Sequence, residues 1–81
     1  MPSTGLEALL VHLARGLVDS KDDVRVERIE AGDAVVFELH VAEADLGKVI
    51  GRGGRIVRSL RILVRASGAK AGERRMLEIV G

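Results

Sequence analysis

The chain has 81 residues, 47% of them apolar and 31% charged, which leaves room for one modest core and excludes a disordered composition. It contains no cysteine, so disulfides and thiolate metal sites are excluded. The net charge of +1 conceals a division: positions 48–70 hold seven basic residues and no acid, so that this segment carries +7 and the remainder −6, and such a dipolar chain presents one anion-attracting face.

No apolar run reaches the roughly 18 residues a membrane helix needs. Met1-Pro2-Ser3-Thr4-Gly5 lacks the basic start of a secretory signal, so a cytoplasmic chain is expected. Thr4 and Glu7 have the spacing of a capping box. Leu6, Leu9, Leu10, Leu13 and Leu17 then recur at helical intervals, which predicts an amphipathic helix from about Gly5 to Val18. After a polar connection at 19–23, Val24 to Glu30 reads as an edge strand, followed by a turn at Ala31-Gly32-Asp33.

The next strand is clearer. Val35, Phe37, Leu39 and Val41 point one way, and Val36, Glu38 and His40 the other. The two strands are expected to pair as an antiparallel hairpin. Ala42 to Val49 predicts a short helix with Glu43 and Asp45 near its positive end, stopped by glycines at 51, 53 and 54. From Gly54 the helical period returns, with Ile56, Leu60, Leu63, Val64 and Ser67 on one face. Arg55, Arg58, Arg61, Ile62 and Arg65 occupy the opposite arc. The stretch 67–72 is expected to end this helix, and Arg74 to Val80 to form a last strand.

The order α-β-β-α-α-β predicts an α+β fold. Strands joined across a helix pair run parallel if adjacent, which gives a three-stranded mixed sheet with helices packed on one face.

The chemistry concentrates in Lys48-Val49-Ile50-Gly51-Arg52-Gly53-Gly54-Arg55-Ile56. Glycine at 51 and 54 permits a sharp bend and leaves no Cβ to block a phosphate. Turn amides and the following helix start face an anion favourably, and Lys48, Arg52 and Arg55 add charge beside them. A Walker loop is excluded because no Gly-Lys-Ser/Thr follows, and a dinucleotide fingerprint is excluded by Ile56 where glycine would stand.

Ile50, Gly51, Arg52, Gly53, Gly54 and Val57 resemble the signature of KH domains, Ile-Gly-x-x-Gly with an aliphatic residue three positions on. The element order is similar to the type II variant. In length and register the chain is most similar to the small stand-alone bacterial proteins of the KhpA family. The resemblance implies one KH domain over 1–81, with a helix and strand extension over 4–30 and a β-α-α-β core over 34–80. It further implies a groove for about four unpaired nucleotides, with the loop on the sugar-phosphate backbone and bases on a floor drawn from Val49, Ile50, Ile56 and nearby strand residues. Dimerisation, with a second copy or with a larger KH-containing RNA-binding protein, is also implied, as is a role as RNA chaperone, post-transcriptional regulator or regulator of cell elongation.

Phe37 is the only aromatic residue, so stacking platforms worth roughly 1–3 kcal/mol per base are not available. Affinity on the order of micromolar with little sequence preference is expected. Ile62, alone among arginines, is either a solitary exposed residue or an anchor in a dimer interface. His12 and His40 are read as surface residues without nucleophile or metal-ligand neighbours in sequence. No metal, cofactor or catalytic constellation is expected. The main alternative is a protein-interaction or dimerisation module.

Overall fold

A computed structural model describes residues 5–81; the Thr4 cap lies outside this range. Along the chain run α1 (Gly5–Arg15), β1 (Arg25–Ala31), β2 (Ala34–His40), α2 (Leu46–Ile50), α3 (Arg55–Ala71) and β3 (Arg74–Val80). Single 3₁₀ turns at Lys21–Asp23, Glu43–Asp45 and Arg52–Gly54 punctuate the connections.

The sheet has the order β1-β2-β3. β1 and β2 pair antiparallel with Val26 opposite Leu39 and Ile29 opposite Val36. A two-residue turn closes this hairpin, and Gly32 takes the positive φ of 66° that such a turn requires. β2 and β3 run parallel with Phe37 opposite Leu77, as a crossover through two helices demands. The mixed three-stranded sheet with helices on one face is the expected type II KH architecture.

Alternation along β2 decides which side of the sheet is the core side. Val35, Phe37 and Leu39 are buried, together with Val41 just beyond the strand, while Val36, Glu38 and His40 are only half-buried. Phe37 has no exposed surface, and the Arg75 guanidinium carbon sits 5.7 Å from its ring centroid. Leu6, Leu10, Ala14, Val18, Val24, Val49, Leu60, Val64 and Leu77 complete one continuous core.

Three helices differ from their expected outlines: α2 spans only Leu46–Ile50, the expected first part from Ala42 being a 3₁₀ turn at Glu43–Asp45, and α1 and α3 differ at their ends. α1 stops at Arg15 because Gly16 follows, its amide shared between the carbonyls of His12 and Leu13 at 3.2 Å each. Its buried stripe is Leu6, Leu10 and Ala14, whereas Leu9 and Leu13 remain exposed. The small Ala14 lets that stripe, and not the leucine-rich arc beside it, meet the sheet. α3 continues through Gly68 to Ala71 and ends at Gly72, which has the left-handed φ of 69° expected of a C-terminal cap. Gly68 is a packing residue: a Cβ there would stand 2.4 Å from the Glu73 carbonyl oxygen and 3.0 Å from Arg75 Cβ.

Candidate nucleic-acid interface

The bend between α2 and α3 is built from backbone that side chains would forbid. Gly51 has φ 79° and ψ 169°, a region open essentially to glycine alone. A Cβ on Gly51 would lie 2.6 Å from Ile56 Cγ1, so the isoleucine side chain fills the space beneath the bend. Gly53 and Gly54 follow with φ of 65° and 75°. All three loop glycines are thus conformationally required, Gly53 as well as the expected Gly51 and Gly54.

Outside the bend nothing crowds the backbone. A Cβ on Gly53 would meet no atom within 4 Å, and one on Gly54 only Arg58 Nη2 at 4.0 Å. The Gly51 amide donates to the Gly47 carbonyl at 2.9 Å, and that of Gly54 to the Gly51 carbonyl at 3.1 Å. The amides of Arg52 and Gly53 carry no such bond among the described residues. They stand just ahead of a 17-residue helix whose positive end favours an anion. Arg52 and Arg55 are exposed beside them. Arg58 reaches back from the first turn of α3 and donates to the Gly53 carbonyl at 3.2 Å, which braces the loop.

The remaining expected residues fall into three environments. Ile50 is 39% exposed next to the bend, and Ile56 is half-buried beneath it. Val49 has no accessible surface. It is a core residue that anchors α2 and offers nothing to a base, because helical spacing turns it inward when Ile50 turns out.

Lys48 is tied down. Its ammonium lies 3.3 Å from Asp45 Oδ1 and 3.4 Å from Asp19 Oδ2. Asp45 is buried, and its other oxygen accepts the Ser20 amide at 3.0 Å. The Ser20 amide first, then the Asp19 backbone and Lys48, hold the Asp45 carboxyl below its ordinary range despite burial, while Asp45 foremost and then Asp19 raise the Lys48 pKa. The arrangement stitches the α1–β1 connection to α2 and places the loop relative to the N-terminal extension. A lysine–aspartate contact bridging these segments has no signature in the linear sequence.

Sequence reasoning also missed the far flank of α3. Arg61 and Arg65 line a cleft with Met76 and Leu77, and Arg65 borders a second depression with Arg74 and Met76. β3 is an edge strand, so this cationic flank overlooks an unpaired strand edge. Only the packing of α3 on β3 brings these residues together. Ile62 is 59% exposed, more than any other large apolar residue described.

Comparison with known proteins agrees with this geometry. The family described as KhpA/KhpB, KH domain, matches residues 7–79. The chain is 49% identical over 77 residues to the RNA-binding protein KhpA of Aquifex aeolicus, covering 95% of this chain and 98% of that one. It is 39% identical over 79 residues to the RNA-binding protein KhpA of Bacillus subtilis, covering 98% of each. To the RNA-binding protein KhpA of Mycobacterium tuberculosis it is 52% identical over 59 residues, covering 73% and 74%. The chain belongs to the KhpA/KhpB family of KH-domain proteins.

Proposed function

We propose that this chain binds single-stranded RNA by holding the sugar-phosphate backbone at Gly51-Arg52-Gly53-Gly54, acting as a low-specificity RNA chaperone or post-transcriptional regulator in the cytoplasm. One observation carries the reading. Two loop amides without backbone partners among the described residues, three positive-φ glycines and the exposed Arg52 and Arg55 converge at the start of α3. An extended phosphodiester fits this site better than a compact nucleotide, because the cationic face continues along Arg58, Arg61 and Arg65. The names of the relatives support the choice of RNA. The whole chain then works as one KH unit, extension 4–30 and core 34–80 together, as a binding module and not an enzyme.

Bases would lie over Ile50 and the rim of Ile56. Such contacts discriminate weakly, so unrelated unpaired sequences bind alike, at affinities on the order of micromolar at moderate salt. Fluorescence titration of short unpaired RNAs with the wild type and with Arg52→Asp/Gly53→Asp tests this. The double variant places negative charge in the bend; a Cβ at 53 meets no atom within 4 Å among the described residues but carries the strain of the positive φ there. Circular dichroism therefore verifies the fold, and loss of RNA binding by the folded variant is expected. Undiminished binding by a folded double variant rules the reading out.

The exposure of Ile62 favours an added role in association. The chain pairs with a second copy, or with a larger KH-containing protein, through the Ile62 side of α3. Ile62→Asp keeps the fold and shifts sedimentation to monomer; an unaltered oligomeric state removes this role.

A further inference from the structure

The sheet face turned away from the helices is open, and the strand register sorts its side chains into rows. Ile29, Val36 and Met76 form one row. Glu27, Glu38 and Glu78 form the next, and Arg25, His40 and Val80 the one after. Three carboxylates opposite one another across three strands is an arrangement that cross-strand pairing disfavours.

The neighbours compensate it only partly. Arg25 donates to Oε2 of Glu27, leaving the other oxygen of that carboxylate open. His40 Nε2 lies 3.2 Å from Glu38 Oε1. Glu78 has no partner among the described residues. Three carboxylates facing the one guanidinium of Arg25 leave two negative charges, the complement of one divalent cation.

The donor geometry is closer still to that of a cation site. Glu38 and His40, two positions apart on β2, point the same way, and Glu27 stands directly opposite Glu38 on β1. Glu27, Glu38 and His40 each offer one ligand atom, and these atoms all lie within 4.8 Å of one another. Ligands at about 2.0–2.2 Å from a zinc ion are roughly 3–4 Å apart, a spacing that small rotations of these side chains reach without moving the strands. Glu38 and His40 are half-buried, which limits the freedom lost on closing around an ion. The linear sequence shows only Glu38 beside His40; strand pairing supplies Glu27.

We propose that Glu27, Glu38 and His40 form a binding site for a first-row divalent cation, Zn²⁺ foremost. The imidazole selects Zn²⁺, Ni²⁺ or Co²⁺ over Mg²⁺, and Arg25 orients the Glu27 carboxylate from outside the ligand set. The site lies on the opposite side of the sheet from the glycine bend, so its occupancy and RNA binding are independent.

The test is calorimetric titration of chelator-treated full-length protein with ZnCl₂, alongside NMR of both histidine side chains. Saturable 1:1 binding, a perturbed His40 ring and an unperturbed His12 ring are expected. Glu38→Gln and His40→Gln each weaken binding by about 10-fold or more, and His12→Gln leaves it unchanged. Both variants change half-exposed side chains, and circular dichroism verifies their fold; should one misfold, the other carries the comparison. No saturable binding, equal affinity for MgCl₂, perturbation centred on His12, or unchanged affinity in a folded Glu38→Gln or His40→Gln protein overturns the site.

Discussion

Arg58 Nη2 donates a hydrogen bond to the Gly53 carbonyl oxygen at 3.2 Å, from the first turn of α3 back into the bend that precedes it. Sequence spacing places Arg58 only on the cationic arc of α3, but the structure gives it a fixed partner at the centre of the loop. Charge and positioning are separable here. Arg58→Lys keeps the charge and loses the guanidinium fork, and Arg58→Ala loses both. A hydrogen bond of this kind contributes about 1 kcal/mol, so Arg58→Lys should weaken RNA binding by roughly fivefold with an unchanged salt slope. Arg58→Ala should weaken it further. Equal affinity for wild type and Arg58→Lys would leave Arg58 as a field residue only.

The loop glycines are not equivalent. Gly51 combines a glycine-only conformation with contact against Ile56, whereas Gly53 is strained but uncrowded. Gly51→Ala should cost at least about 2 kcal/mol and Gly53→Ala about 1 kcal/mol. Urea denaturation of the two variants measures the difference, and an equal loss would contradict the crowding at Ile56.

Lys48 and Arg52 have the same formal charge and different predicted roles. Binding of single strands loses a slope of about 0.7 in log K against log salt for each phosphate contact removed. Arg52→Gln should reduce the slope by about that amount. Lys48→Gln should leave the slope nearly unchanged and lower stability instead, since its ammonium serves Asp45 and Asp19.

Acid should weaken the fold through Asp45 and Glu73. The Ser20 amide holds the Asp45 carboxyl below its ordinary value of 3.8, and Arg75 holds that of Glu73 below 4.5. A carboxyl whose folded pKa is depressed stabilises fully above its unfolded value, and loses that contribution as pH falls through the folded one. The urea midpoint should therefore decline from about pH 5 downward, and Asp45→Asn should flatten the lower part of that decline. A wild-type profile without this acid slope would contradict the network.

Period-2 alternation around Phe37 made β2 and its core face readable in advance, because a central strand shows its packing in its own residues. The glycine bend was readable for the same reason: its constraint is local. Leu9 and Leu13 were not, since a helical wheel gives the apolar arc without saying which part of it a sheet covers. Gly68 illustrates a different ambiguity. Glycine marks both helix ends and close approaches, and only the packing of Glu73 against position 68, where a Cβ would stand 2.4 Å from the Glu73 carbonyl oxygen, separates the two. Lys48–Asp19 and the Arg61–Met76 cleft join residues distant in sequence, so no local pattern displays them.

Amide chemical-shift mapping of the labelled protein with an unpaired RNA tests the backbone-gripping claim most directly. The Arg52 and Gly53 amides should move most, with smaller changes along Arg55, Arg58 and Arg61, and a duplex of the same composition should produce little. Perturbations centred on the open sheet face around Val36 and Glu38, with the bend unmoved, would contradict it.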